Sequence, residues 1–113
     1  TLSGVLHLAA TDSPDQVPGL RDVIAGLPVS GVSGTMRGRF SSDATEDVVG
    51  VPRAKTGTLK AGSALAGTTV TADGRPLTFV VLVDEFPEDF GGTLRARAAL
   101  DRIVAALTRC GCR

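Results

Sequence analysis

The stretch Ser63-Ala-Leu-Ala-Gly-Thr-Thr-Val-Thr-Ala-Asp-Gly-Arg-Pro-Leu-Thr-Phe-Val-Val-Leu-Val-Asp84 decides the fold. Two strand-like runs, Ser63 to Ala72 and Leu77 to Asp84, flank Asp73-Gly74. Glycine tolerates the positive φ of a tight turn, so this pattern predicts an antiparallel hairpin with Asp73-Gly74 at its tip. Leu77 to Val83 is almost wholly apolar, which predicts a strand covered on both faces. Upstream, about Val48 to Leu59 reads as a third strand, so residues 49–84 are expected to form three neighbouring antiparallel strands.

Helical patterns lie on both sides of this core. Residues 2–11 read as a short helix, with Ser3 as N-cap and an apolar face of Leu2, Val5, Leu6 and Leu8 to Ala10. Pro18 suits a first helical position, and Gly19 to Ala25 reads as a second helix stopped by Gly26 and Pro28. The glycines at 31, 34 and 38 make residues 28–40 an irregular loop, and residues 41–47 are polar and expected to be exposed. After a loop over residues 85–92, Thr93 is the expected cap of a helix running to Arg109. Ala96, Leu100, Ile103, Val104 and Leu107 form its apolar stripe, with Arg95, Arg97, Asp101 and Arg102 facing elsewhere. Three strands flanked by helices predict an α+β unit with an antiparallel sheet.

Composition narrows the function classes. The 113 residues suffice for one small domain or part of a larger one, and the formal net charge is zero. No Lys/Arg cluster suggests a nucleic-acid surface, and the lack of Trp and Tyr removes the usual stacking platforms. The run Phe79 to Val83 is far too short to span a bilayer. A chain that opens directly into an apolar helical face is expected to be a fragment.

The chemistry concentrates in Arg53-Ala-Lys-Thr-Gly-Thr-Leu59. Lys-Thr-Gly is one of three signatures of penicillin-binding proteins and class A β-lactamases. Lys55 supplies a positive charge, Thr56 a hydroxyl donor, and Gly57 room for a substrate backbone to approach. The tripeptide alone also fits an exposed strand end, so its surroundings matter.

Those surroundings resemble the D-alanyl-D-alanine carboxypeptidase/endopeptidase family of class C penicillin-binding proteins. The similar segments are Leu27-Pro-Val-Ser-Gly-Val-Ser-Gly-Thr-Met-Arg-Gly-Arg-Phe40, Arg53 to Leu59, Ser63 to Gly67, Ala72 to Leu77 and the final helix ending near Cys110-Gly-Cys112. Residues 1–26 fit more loosely and residues 41–50 not recognisably. The family's Ser-x-x-Lys is absent, because Pro52 and Gly57 stand three positions before the two lysines. Its Ser-x-Asn is impossible without Asn. Residues 1–113 are therefore expected to be the C-terminal part of one penicillin-binding-protein transpeptidase-like domain, with the N-terminal segment of the same enzyme as companion chain.

By this resemblance, Lys55 and Thr56 would bind the C-terminal carboxylate of a D-Ala-D-Ala peptide or the matching group of a β-lactam. Gly57 would keep the strand open, and the Thr58 backbone N–H would join the oxyanion hole beside that of the missing serine. The reaction would be serine-type D-Ala-D-Ala carboxypeptidase hydrolysis of peptidoglycan peptides, without cofactor or metal, outside the cytoplasm in the bacterial envelope. A β-lactamase-like hydrolase and a non-catalytic peptide-binding module are the alternatives; the Leu27-to-Gly31 stretch argues against the former.

Other chemistry-bearing residues favour plain roles. His7 lacks a triad partner set nearby and reads as a packing or surface residue. Asp84, Glu85, Glu88 and Asp89 lack a recognisable cation-ligand spacing and read as a solvated loop. Arg37 and Arg39 read as surface residues near a cleft rim. Cys110 and Cys112 are open to pairing with each other, pairing outside the chain or remaining free.

Overall fold

A computed structural model describes residues 20–59, 62–85 and 89–110. The expected helix at 2–11, with Ser3 and His7, and residues Glu88 and Cys112 lie outside the described residues. Helix α1 spans Leu20–Ala25, strands β1, β2 and β3 span Arg53–Leu59, Gly62–Val70 and Pro76–Asp84, and helix α2 spans Phe90–Arg109. Short 3-10 turns occupy Gly34–Met36 and Glu46–Val48. The sheet order is β1-β2-β3, antiparallel throughout.

The hairpin between β2 and β3 forms where it was expected. Val70 pairs with Pro76, so the connection is residues 71–75. Gly74 there has φ +82°, a left-handed conformation that costs an L side chain energy. Thr71 closes the turn: its N–H donates to Arg75 O at 2.9 Å, its hydroxyl accepts Arg75 N–H at 3.0 Å, and that hydroxyl also donates to Asp73.

One sheet face is covered by α2. Ala54, Leu65 and Phe79 meet Leu100, Val104 and Ala105 of the helix, with Met36, Phe40 and Val48 completing the core and Val81, Val83 and Leu107 beside it. Gly67 permits the close approach of β1 to β2, because a Cβ there would lie 1.8 Å from Arg53 O. The helix begins earlier than expected. Asp89, not Thr93, is its N-cap, accepting the Gly92 N–H on its carboxylate. That carboxylate satisfies a donor of the first turn, which lets Gly91 and Gly92 join the helix despite their poor propensity.

Several sequence expectations need correction. Strand β1 starts at Arg53, because residues 46–48 wind into a 3-10 turn and Gly50 takes φ +87°. β3 is not covered on both faces in this chain: Val80 is 45% and Leu82 64% exposed. Within residues 41–47, Thr45 is buried, its hydroxyl donating to Ser42 O at 3.2 Å. Ile103 lies at the edge of the helical stripe and is exposed.

The largest correction concerns charge. Asp101 is buried rather than facing away from the core, and Arg39 reaches it from the loop with Nη2–Oδ1 at 2.6 Å and Nε–Oδ2 at 3.0 Å. Arg39 Nη2 also donates to Arg97 O at 3.2 Å. The same carboxylate accepts the Phe40 N–H at 3.2 Å. Phe40 has φ +61°, a conformation that costs a non-glycine residue about 1–3 kcal/mol and persists only where its surroundings over-determine it. Here the Asp101 carboxylate and burial of the Phe40 ring supply that constraint.

Candidate functional site

Strand β1 carries all four residues singled out in the sequence: Lys55, Thr56, Gly57 and Thr58. Among the described residues it is an edge strand. Among the described residues, only the beginning of that edge is occupied. Ala54 N–H donates to Pro28 O at 3.0 Å, Ser30 N–H donates to Pro52 O at 2.9 Å, and Val29 bridges Arg53. In an antiparallel strand the N–H and C=O of one residue point to the same side and alternate along the chain. Since Ala54 bonds outward, the backbone groups of Thr56 and Thr58 face outward too. Beyond Ala54, no described strand pairs with them.

Side chains alternate the other way. Ala54 lies in the core against α2, which puts Thr56 and Thr58 on the helix side and Lys55 and Gly57 on the opposite, open face. Consistent with this, Arg97 of α2 reaches the Thr58 hydroxyl at 3.5 Å. Lys55 is exposed, and its Nζ donates to Thr56 O at 2.6 Å, curling over the outer edge. The Thr56 hydroxyl donates to the Thr35 hydroxyl at 3.2 Å. A Cβ on Gly57 would meet only the Ala64 methyl, at 3.7 Å, so ordinary packing does not demand the glycine.

Beside the strand lies a cleft of about 410 Å³, lined by Val23, Leu27, Lys55, Thr56, Gly57, Ala64 and Ala66. A second depression of about 320 Å³ adjoins it at Gly57 and Ala64 and extends to Leu82. Sequence reasoning missed the walls of this cleft. Ala64 and Ala66 were legible as strand residues, and the register Lys55↔Ala66 and Gly57↔Ala64 is what brings them to the site. Val23 and Leu27 come from α1 and the turn after it. Arg53 ties that turn to the strand by donating to Ala25 O at 3.3 Å.

The remaining candidates stay apart from this strand. Arg37 is exposed and donates to Val32 O at 3.4 Å, while Arg39 is engaged with Asp101. Neither lines the cleft. Cys110 follows α2 and is held in a disulfide. Among the described residues, no three His, Cys, Asp or Glu side chains come together as a metal site. A second ion pair joins Arg109 to Asp47, and the hydrogen bond from Arg109 holds the Asp47 carboxyl below its ordinary range.

Comparison with known proteins agrees with this architecture. Two curated relatives are each 38% identical over 113 residues: carboxypeptidase DacB of Mycolicibacterium smegmatis and carboxypeptidase Rv3627c of Mycobacterium tuberculosis. Each comparison covers 99% of this chain and 23% of the relative. The crystal structure of penicillin binding protein 4 (dacB) from Haemophilus influenzae, complexed with a novel β-lactam, superposes with a TM-score of 0.70 at 29% identity. That match covers 95% of this chain and 24% of the other. The chain thus spans about a quarter of the length of these proteins. The family described as D-Ala-D-Ala carboxypeptidase 3 (S13) matches residues 1–107. An antiparallel sheet backed by a long helix, with Lys-Thr-Gly on its edge, is accordingly the fold of a chain that belongs to the D-Ala-D-Ala carboxypeptidase 3 (S13) family.

Proposed function

We propose that this chain supplies the substrate-binding edge strand of a serine-type D-Ala-D-Ala carboxypeptidase acting on peptidoglycan peptides outside the bacterial cytoplasm. The observation that carries the reading is the open outer edge of β1, where Thr56 and Thr58 present backbone groups beside Lys55 and a cleft. An extended peptide can lie along such an edge and take main-chain hydrogen bonds from it. Lys55 binds the terminal carboxylate, and the Thr56 hydroxyl donates to it. Gly57 leaves the open face unobstructed for the ligand.

The nucleophile comes from a Ser-x-x-Lys segment of the same enzyme, outside this sequence and packed against this chain. Its serine oxygen attacks the carbonyl carbon of the penultimate D-Ala. The Thr58 N–H and the serine's own N–H then stabilise the developing oxyanion. The C–N bond breaks, the terminal D-Ala leaves with the serine's proton on its amine, and water hydrolyses the acyl-enzyme ester. A β-lactam enters the same route, its ring amide opening in place of the peptide bond.

The test uses the protein carrying both the Ser-x-x-Lys segment and this chain. A charged hydrogen bond is worth about 1.5–3 kcal/mol, so Lys55→Ala should slow acylation by a D-Ala-D-Ala peptide or a β-lactam by roughly 10- to 100-fold. The thermal midpoint should stay in place, because Lys55 is exposed. An unchanged acylation rate removes Lys55 from the site, and a collapsed midpoint makes it a structural residue.

A further inference from the structure

The loop preceding β1 is built to hold one exposed hydroxyl against the Lys-Thr-Gly threonine. Thr35 sits in the 3-10 turn Gly34–Met36 and is itself exposed. The loop around it is held at several points. Met36 is fully buried in the core, and Gly31 N–H donates to Met36 O at 2.9 Å. Gly34 takes φ +55° with Pro28 so close that a Cβ would lie 3.1 Å from the ring. The Ser33 hydroxyl accepts Val29 N–H at 2.9 Å, and Arg39 pins the end of the loop to Asp101. The outcome is the 3.2 Å contact between the Thr35 and Thr56 hydroxyls.

We infer that Thr35 is a positioning residue that aims the Thr56 hydroxyl at the ligand carboxylate. This rests on β1 being the carboxylate-binding strand. A hydroxyl has one proton to donate and two lone pairs to accept with. In the structure Thr56 donates its proton to Thr35. A bound carboxylate competes for that proton and forms the stronger, charge-assisted bond. Thr56 then turns its proton to the carboxylate, and Thr35 rotates to donate its own proton to a lone pair of the Thr56 oxygen. The chain Thr35–Thr56–carboxylate polarises along its length, each bond strengthening the next. No covalent bond changes; two hydroxyl rotors reverse. Specificity for a free terminal carboxylate is therefore shared between Lys55, Thr56 and a residue twenty positions upstream of Lys55 that touches the ligand through neither charge nor backbone.

The experiment compares Thr35→Val, Thr35→Ser and wild type in the protein carrying the Ser-x-x-Lys segment. The substrates are a D-Ala-D-Ala peptide and the same peptide with its C-terminus amidated. Thr35→Val should raise KM for the free acid by about 3- to 10-fold, the worth of one hydrogen bond, with kcat nearly constant. It should leave kcat/KM for the amide unchanged, and Thr35→Ser should restore the wild-type values. In a Thr56→Val background, Thr35→Val should add no further loss, since both act through one hydroxyl. Equal losses on acid and amide, or a lowered thermal midpoint that Thr35→Ser fails to restore, would make Thr35 structural and overturn the inference. So would wild-type kinetics in Thr35→Val. If Lys55→Ala and Thr56→Val themselves leave discrimination between acid and amide intact, the reading of β1 fails, and the role of Thr35 falls with it.

Discussion

The two faces of the sheet are made of similar residues and live in different surroundings. On the helix side, Leu65 and Phe79 are sealed by Leu100 and Val104. On the other side, Val70, Val80 and Leu82 are exposed beside Ala64, Gly57 and Lys55. Both faces draw on the same strands, so β propensity does not distinguish them. The difference lies in what each face meets. The helix face takes Met36 and Phe40 from the loop and a row of aliphatic residues from α2. Among the described residues, the open face meets the short α1 segment across a cleft. Stability is concentrated on one face, and the groups proposed to bind a ligand lie on the other and along the edge between them.

Removing the ionic anchor of the covered face is expected to produce the largest effect. Arg39 and Asp101 are both nearly buried, with side-chain exposures of 11% and 9%. Asp101→Ala leaves the buried Arg39 charge without its counter-ion and the Phe40 N–H without its acceptor, so it should cost about 3–5 kcal/mol in urea unfolding. A change below 1 kcal/mol in that assay would show that water replaces the carboxylate at little cost, and the loop would not be anchored here.

The two faces can then be compared with one substitution each. Leu100→Ala empties a fully buried site and should cost about 2–5 kcal/mol. Leu82→Ala, at 64% exposure, should change the stability of this chain by no more than about 0.5 kcal/mol. Repeating Leu82→Ala in the protein that includes the Ser-x-x-Lys segment sharpens the comparison. A markedly larger loss there would show that the companion segment covers the open face. Equal losses at Leu82 and Leu100 in this chain alone would erase the distinction between the faces.

The smallest effect belongs to the exposed ion pair at the rim of the covered face. The Asp47 carboxyl is held below its ordinary value of 3.8, chiefly by the hydrogen bond from Arg109. A carboxylate with a depressed folded pKa stabilises the fold above its unfolded pKa and loses that contribution as pH falls through the folded value. Wild type should therefore melt slightly above Asp47→Asn at pH 7, and the gap should close in acid below 3.8. A gap that persists in strong acid would assign it to packing rather than to ionisation.

Much of the fold was legible because its signals are local. The hairpin rests on Asp73-Gly74 between two apolar runs, and Gly74 takes the left-handed conformation that such a turn requires. The long helix follows from the spacing of Ala96, Leu100 and Val104. The candidate site was legible as a tripeptide, since Lys55, Thr56 and Gly57 are consecutive. Its walls were not: Val23 and Leu27 reach it only through the turn that Arg53 ties to β1. The Arg39–Asp101 pair spans 62 positions, and no periodicity connects an arginine in a glycine-rich loop to an aspartate on a helix.

What the sequence by itself determined is the set of elements, their antiparallel order and the segment proposed to carry the chemistry. Each depends on side-chain period or backbone preference within a few residues. What only the tertiary structure decided is which face of the sheet is covered, which edge of β1 stays open and which hydroxyl stands beside Thr56. Those outcomes depend on contacts between distant residues. A strand's alternation says that two faces exist, but only the packing of α2 against Leu65 and Phe79 selects the one that is buried.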